Sequence, residues 1–379
     1  MRAKKQKIEC SCGFKVHNSS LDYLFTKVSL VISYLCNNRC EFCYARDAVA
    51  SSYSRMKYSD FKLIVGLLAE VGTKGIDLIG GEPTLHPDLL KMIRYIRKKD
   101  ITVFLITNGR RFADYEFLEK VVVAGVDYIS TSVPVYDEKS ARNVLGSARA
   151  YKDLEKGLQN EKKFKDKVNT CLHVVVENTN VDYYKRLFDL IIRLGFKSCS
   201  IGINNSSIWS TNGEGVLSHK DAASMIRVLD KEATERELDV KFLSKMPLCF
   251  FDKKEANSLL VRERITSNCR VYQARYLTVE PDGSILPCTY FVRHPVGNIL
   301  SEFYDTKSKK LNTEKFLKEW KNGKYSSFRE KSFKYRSSKC VNCDFFPKKC
   351  SGGCMLSYLG QDPEKIIPGF NHKKQSLQV

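Results

Sequence analysis

Three cysteines fall at Cys36, Cys40 and Cys43 within Cys36-Asn37-Asn38-Arg39-Cys40-Glu41-Phe42-Cys43-Tyr44, a Cys-x3-Cys-x2-Cys spacing. A structural zinc or iron–sulfur site is normally closed by four protein ligands. Three thiolates leave one metal position open, and an open position is where chemistry happens. The element that must position them lies just upstream. Val28-Ser29-Leu30-Val31-Ile32-Ser33-Tyr34 is an apolar, β-branched run that reads as a buried strand. The thiols therefore belong on the loop leaving a strand.

A second cysteine group lies far downstream. Cys249 and Cys269 come first, then Cys288 after Gly283, then Cys340-x2-Cys343-x6-Cys350-x3-Cys354. The chain has fourteen cysteines in all. Disulfides need an oxidising compartment, and thiols clustered this tightly do not make a framework of bridges, so metal ligation is the better reading. Zinc-ribbon knuckles are the plain alternative. Cys350-x3-Cys354 is not such a knuckle, and Ser351-Gly352-Gly353 between its cysteines points to backbone packed against a cluster. Cys10 and Cys12 are too close in sequence to form a metal site unaided.

The rest of the composition is that of a globular chain. At 379 residues, with 43% hydrophobic and 28% charged residues, it can bury one large core or two smaller ones. No apolar run approaches the ~20 residues of a membrane helix, so no membrane partner is expected. The basic start Met1-Arg2-Ala3-Lys4-Lys5-Gln6-Lys7 is followed by no apolar segment. No signal peptide is expected, and a cytoplasmic location is the default. The net charge is +20, and residues 301–379 carry 17 Lys/Arg against 8 Asp/Glu. That balance fits a solvated basic surface, or an acidic partner such as nucleic acid or an acidic peptide.

Between about residues 28 and 235 short apolar strands alternate with amphipathic helices. The strands read as 28–34, 76–79, 102–107, 128–132, 171–176 and 198–203. The helices read as 60–71, 87–98, 114–124, 151–159, 182–194 and 220–232. Such alternation gives parallel strands joined by right-handed crossovers, and six units make three-quarters of an eight-unit barrel. The expected fold class is α/β, a partial (βα)6 TIM-like barrel followed by a small cysteine-rich α+β domain. The expected division is an N-terminal extension over 1–25, the barrel over 26–235, the cysteine-rich domain over 236–358 and a tail over 359–379.

In such a barrel the ligand sits where strands end. The second strand ends in Gly80-Gly81-Glu82-Pro83-Thr84, with two glycines for close backbone approach to a ligand and a carboxylate for an ammonium group. Thr107-Asn108-Gly109, Ser130-Thr131-Ser132, Glu177-Asn178 and Gly202-Ile203-Asn204 stand at later exits. Singly each reads as a turn; together they outline a pocket for a small polar cofactor. Cys171 and Cys199 read as buried structural thiols, His86 as a turn residue, His173 as a barrel-lining residue, and Trp209 and Trp320 as packing residues.

The Cys36/Cys40/Cys43 loop, with Phe42 before its last cysteine and Gly80-Gly81-Glu82-Pro83 after the next strand, resembles the radical S-adenosylmethionine (radical SAM) superfamily over roughly residues 26–235. That resemblance implies a 4Fe–4S cluster on the three cysteines, with SAM chelating the fourth iron. It places Glu82 and the Gly80-Gly81 backbone at the SAM amino group and Phe42 near the adenine. Ser130 or Ser132, and Arg142 on the loop after the fourth strand, become ribose and carboxylate contacts. Thr107, Asn108 and Ile203 complete the expected cofactor pocket. Pro281-Asp282-Gly283-x3-Pro287-Cys288, Gly297-Asn298-Ile299, Trp320 and the downstream cysteine run resemble the SPASM extension of these enzymes, over about 245–358. By that resemblance Cys269, Cys288 and Cys354, with Cys249 as a further candidate, hold one auxiliary cluster, and Cys340, Cys343 and Cys350 a second. The family pattern ends in one more cysteine, and this chain has none after Cys354. A second cluster then needs another ligand, with Asp344 nearby, or keeps an open iron, or is absent, leaving the downstream cysteines to one site.

The resemblance implies a radical SAM oxidoreductase that generates a 5′-deoxyadenosyl radical to modify a peptide or protein side chain. It also implies an external electron donor of the flavodoxin or ferredoxin kind. The alternatives are radical chemistry on RNA or a small metabolite, and a zinc-stabilised binding protein without activity. The charge permits RNA, but no RNA-binding module is recognisable, so nucleic acid is not the favoured partner.

Overall fold

The structure, a computed structural model, describes residues 7–9, 15–17, 24–40, 42–51, 54–204, 217–292, 294–332 and 336–358. Cys10, Cys12, Trp209 and the tail from 359 on lie outside the described residues.

In chain order the strands are β1 (Lys7–Glu9), β2 (Lys15–His17), β3 (Val28–Ser33), β4 (Gly75–Gly80), β5 (Thr102–Thr107), β6 (Tyr128–Ser132), β7 (Asn169–Val176), β8 (Ser198–Ile203), β9 (Asp239–Leu243), β10 (Thr278–Val279), β11 (Ser284–Leu286), β12 (Gly297–Asn298), β13 (Tyr304–Asp305) and β14 (Lys310–Leu311). The helices are α1 (Arg46–Ser51), α2 (Tyr58–Glu70), α3 (Leu89–Arg97), α4 (Tyr115–Ala124), α5 (Glu138–Leu145), α6 (Arg149–Lys162), α7 (Val181–Arg193), α8 (His219–Glu235), α9 (Lys253–Val261), α10 (Ile299–Phe303), α11 (Thr313–Asn322) and α12 (Lys324–Ser332). This is an α/β chain whose parallel strands alternate with helices, in the chain order of a partial TIM-like barrel. It packs into two compact units. One comprises Met1–His173 with Ala274–Ser327, the other Val174–Gln273 with Phe328–Val379.

In the first unit the strands run in the order β12, β11, β10, β3, β4, β5, β6, β7. β3 through β7 are parallel. Val28, Leu30 and Ile32 of β3 alternate into the core beneath the helices. α2 meets that core with Phe61, Ile64, Val65, Leu67 and Leu68, and α3 with Leu89, Met92, Ile93 and Ile96. Both sets follow the three- and four-residue spacing of one helix face. Each such side chain contributes about 1.5–3 kcal/mol on burial. α4 begins where the Asp114 side chain accepts a hydrogen bond from Phe117 N and ends at Gly125, whose φ is 103°.

Two features of this unit differ from the sequence expectation. The segment after the fourth strand is not a loop but α5, started by a capping box between Asp137 and Ser140. The Pro281-Asp282-Gly283 hairpin does form, and β10 also pairs in parallel with β3, Thr278 opposite Ser29 and Val279 opposite Leu30. Trp320 packs in the core as expected, 4.9 Å from the Phe25 ring.

The second unit carries α7, β8, α8, β9 and α9. The strand at 239–243 continues the parallel pattern, because β9 pairs with β8 from Ser198–Asp239 to Gly202–Leu243. Val240 and Phe242 are buried while Asp239 and Lys241 alternate outward. Among the described residues no helix is long and apolar enough to cross a membrane.

Candidate active site

The cysteine loop belongs to the first unit and begins three residues past β3. The chain returns from α1 alongside it, with Tyr34 N donating to Ser54 O at 3.2 Å and Met56 N to Ile32 O at 2.9 Å. Within the loop Cys43 N donates to Cys40 O at 3.3 Å, and Asn38 N approaches Cys36 Sγ at 3.4 Å. Burial pushes the Cys36 thiol up to about 11 and raises that of Cys43, against the opposing pull of backbone N–H groups. Each thiol must therefore lose its proton as it takes up metal. Among the described residues no three His, Cys, Asp or Glu side chains converge on one point, as ligands of a single ion would. Iron–sulfur clusters are held by thiolates around a body of several atoms, and three cysteines on one loop suit such a cluster.

Gly80 and Gly81 are required by their neighbours in the protein. A Cβ on Gly80 would lie 2.0 Å from Ser33 O, and one on Gly81 would lie 2.5 Å from both Tyr34 O and Leu35 O. In exchange Gly81 N donates to Ser33 O at 2.8 Å and Glu82 N to Leu35 O at 2.7 Å. The glycine pair thus lets the end of β4 run against the residues that lead directly into Cys36.

Glu82 is fully buried. Its Oε1 accepts from Thr84 N (3.0 Å), Thr84 Oγ1 (2.6 Å) and Thr107 Oγ1 (2.7 Å), and its Oε2 accepts from Asn108 N (2.7 Å). Burial raises its pKa and those four bonds oppose the rise. The carboxylate therefore joins the exits of β4 and β5. Thr107 and Asn108 stand at that junction, and Asn108 Nδ2 donates to Asn37 Oδ1 of the cysteine loop at 2.7 Å.

Ser130 and Ser132 are half-buried on one face of β6, while Thr131 between them points to the other face and donates to Glu161 at 2.8 Å. The register sets Ser130 opposite Cys171 and Ser132 opposite His173. Cys171 is thus half-buried on the serine face, where the sequence suggested a buried thiol. Cys199 is buried. Burial lowers His173 to about 4, so its imidazole is neutral near pH 7. Arg142 lies in the last turn of α5 and is exposed. The C-terminal Gly146 of that helix lies beside Arg39 of the cysteine loop. Phe42 is half-buried. Ile203 closes β8 in the second unit and is buried. His86 is a turn residue held by Met56 O and Asp88 N.

Sequence reasoning missed Arg110. It donates from one nitrogen to Asn37 O at 2.6 Å and to Asn38 Oδ1 at 3.0 Å, and it pairs with Asp153 at 2.9 Å. Its only sequence signal was its place just after Thr107-Asn108-Gly109. Glu161 was also missed. It is buried on α6, and burial pushes its carboxyl up to about 8.

The downstream thiols divide between the units. Cys288 lies in the first, where Phe291 N donates to its carbonyl at 3.0 Å. Two residues on, the Tyr290 ring lies 5.7 Å from that of Tyr44 in the cysteine loop. The others lie in the second unit. Cys269 and Cys354 both flank Lys245, whose ammonium burial lowers to about 8. Cys340, Cys343 and Cys350 share one neighbourhood. A Cβ on Gly352 would lie 3.2 Å from Cys340 Sγ, and Gly352 N donates to Cys350 Sγ at 3.3 Å. Burial pushes Cys340 up to about 11. Asp344, the suggested extra ligand, pairs with Lys253 at 2.6 Å.

Compared with known proteins, residues 30–191 match the sequence profile of the radical SAM superfamily. Residues 269–344 match that of an iron–sulfur cluster-binding domain, SPASM. The chain thus carries a domain of the radical SAM superfamily. This is a family of enzymes whose cofactors are SAM and a 4Fe–4S cluster, joined in the SPASM group by auxiliary iron–sulfur clusters. A probable GTP 3′,8-cyclase from Pyrococcus abyssi is 30% identical over 121 residues, 32% of this chain and 39% of that protein. The chain thus spans well under half the length of that relative. A tungsten-containing aldehyde ferredoxin oxidoreductase cofactor-modifying protein from Pyrococcus furiosus is 25% identical over 335 residues, 83% of this chain and 86% of the relative. A PqqA peptide cyclase from Granulibacter bethesdensis is 21% identical over 259 residues, 68% of this chain and 66% of the relative. Among solved structures, Streptococcus suis SuiB bound to its precursor peptide SuiA superposes with a TM-score of 0.64 at 17% identity, covering 92% of this chain and 76% of that one. The anSMEcpe structure with AdoMet and the Cp18Cys peptide gives 0.62 at 19% identity, covering 86% and 88%. At these identities the structures speak to the fold.

Proposed function

We propose that this protein is a radical SAM oxidoreductase that modifies a side chain of a peptide or protein substrate. The observation that carries the reading is the joined exit of β3, β4 and β5. Three thiols stand on one loop; Asn108 and Arg110 hold it by hydrogen bonds, and Gly81 N and Glu82 N hold the Ser33 and Leu35 carbonyls that lead into it. Cys36, Cys40 and Cys43 would hold the 4Fe–4S cluster. When bound, the cluster supplies one electron that splits a carbon–sulfur bond of SAM, giving a 5′-deoxyadenosyl radical that abstracts hydrogen from carbon. The protein's part is to fix the loop and present polar groups beside it.

The Gly80 and Gly81 carbonyls, the Asn108 side chain and the half-buried Ser130 and Ser132 are the groups we assign to SAM, with Phe42 at the adenine. Arg142 and Ile203 are assigned to it by resemblance. Glu82 acts chiefly by fixing the loops around the ammonium site, with Oε2 as the oxygen that carries the fewer protein bonds. A peptide substrate is supported by the likeness to the PqqA peptide cyclase, and the +20 charge suits an acidic segment of such a substrate. A flavodoxin- or ferredoxin-like protein would supply the electron.

The second reading is a small-molecule substrate. It is favoured by the Pyrococcus furiosus relative, which spans 83% of this chain and whose name describes cofactor modification. The deciding experiment is anaerobic reconstitution with iron, sulfide and SAM under strong reduction. Formation of 5′-deoxyadenosine is expected, and its absence would sink both readings. Salt-sensitive binding of an acidic peptide, with no turnover of nucleotide or cofactor substrates, would select the first.

A further inference from the structure

Resting on the auxiliary-cluster reading above, we propose that Cys249 is the fourth thiolate ligand of the cluster held by Cys340, Cys343 and Cys350. These residues all lie in the second unit. The sequence resemblance calls for a ligand downstream of Cys354, and residues 355–379 hold no cysteine. It offered Cys249 to the other auxiliary set, but the fold brings Cys249 to this one.

The chain on both sides of Cys249 is fastened to the loop that carries the other thiols. Upstream, Met246 O accepts from Ser267 Oγ at 2.6 Å, and that hydroxyl lies 3.4 Å from Cys350 Sγ. Ser267 also pairs with Cys350 as an isolated parallel bridge. Pro247 is so close to Gly353 that a Cβ there would meet its ring at 3.0 Å. Downstream, the Phe250 ring stacks 5.0 Å from His219, whose other neighbour is Tyr358 at 5.6 Å. The Tyr358 hydroxyl donates to Gly352 O at 3.0 Å. Lys253 then reaches Asp344, the residue after Cys343. Met246, Pro247, Phe250 and Lys253 thus anchor the turn at Leu248–Phe250 onto the segment 343–358.

The electrostatic neighbours of the thiol agree. The ionisable neighbours of the Cys249 thiol are Cys350, Cys340 and Cys343. Four thiolates brought together so would repel one another in the absence of positive charge, and iron supplies that charge. Asp344 is no rival, because its carboxylate is engaged by Lys253. Binding would release one proton from each thiol and change no oxidation state of sulfur.

The test uses the full chain, reconstituted anaerobically with iron and sulfide. Wild type, Cys249→Ser, Cys343→Ser and Asp344→Ala are compared for iron and sulfide per chain and for the EPR spectrum after reduction. Cys249→Ser is expected to match Cys343→Ser, losing roughly four iron atoms, or keeping them with a shifted signal, while Asp344→Ala keeps the wild-type content. Wild-type iron and spectrum in Cys249→Ser, alongside loss in Cys343→Ser, would overturn the assignment. Loss in neither variant would instead remove the cluster itself. Should the serine variants fold poorly, alkylation of the intact wild-type holoprotein decides. Cys249 should be shielded from iodoacetamide and exposed by chelator at the same rate as Cys340, Cys343 and Cys350. Free labelling of Cys249 while those three stay shielded would refute the proposal.

Discussion

Arg110 holds Asn37 by its backbone carbonyl at 2.6 Å, and the same guanidinium nitrogen reaches Asn38 Oδ1 at 3.0 Å. One side chain thus fixes the two residues that follow Cys36, while its own orientation is set by Asp153 at 2.9 Å. A planar fork engaged at both ends is hard to replace with lysine. We expect Arg110→Ala and Arg110→Lys to lower 5′-deoxyadenosine formation about tenfold or more, through misplacement of the loop. Iron content should stay near wild type. Unchanged rates in both variants would show that the loop keeps its geometry without this bond.

The glycine pair gives a stability test. A Cβ added at Gly81 would stand 2.5 Å from two carbonyl oxygens of the main chain, which have no flexible end to yield. Gly81→Ala is expected to cost about 3 kcal/mol or more, read as a lower denaturation midpoint of the protein without metal. A midpoint equal to wild type would mean that β4 can shift away from Tyr34 and Leu35.

Glu161 makes stability depend on pH. Its carboxyl is raised from 4.5 to about 8 by burial in the folded state, and Thr131 is its donor. Between those values the folded form binds more protons than the unfolded chain, so this group's contribution is complete below about 4.5 and is lost as pH rises through 8. Its Oε2 finds no hydrogen-bond partner among the described residues. Glu161→Gln should flatten that decline and gain most at pH 8, measured by chemical denaturation at several pH values. A pH profile parallel to wild type would contradict the assignment.

The two kinds of thiol site should separate on mutation. Replacing Cys36, Cys40 and Cys43 together by alanine is expected to abolish SAM cleavage while the chain still binds iron at its downstream cysteines. Iron analysis beside a product assay reads both. A triple variant devoid of iron would show that the downstream thiols hold no cluster.

Much of this was legible because some chemistry is local in sequence. Cys36, Cys40 and Cys43 announce their loop by spacing, and the alternation of apolar runs marks β3 to β8 within a few residues. Pro281-Asp282-Gly283 spells its own turn. What was hidden depends on distant pairing. β10 has two residues, too few for a periodic signal, and its parallel match to β3 links positions about 250 apart. α5 is short and polar, so its Asp137 cap outweighs a weak pattern. Glu82 announces an ammonium site by its place in a glycine loop, but its donors from Thr107 and Asn108 are not local in sequence. Cys249 carries no spacing motif at all. Its company is decided by Pro247, Phe250 and Lys253, which name no metal.

The pairing of β10 with β3 has a temporal side. The ribosome delivers β3 and its cysteine loop some 240 residues before Thr278, so during synthesis one edge of that strand has β4 on one side and nothing yet on the other. Unpaired strand edges invite association. A nascent chain therefore passes through a stage in which the Cys36–Cys43 loop is made but its supporting strand lacks a neighbour. Iron delivery that waits for the C-terminal third would meet a finished cradle, and delivery before it would meet an open edge.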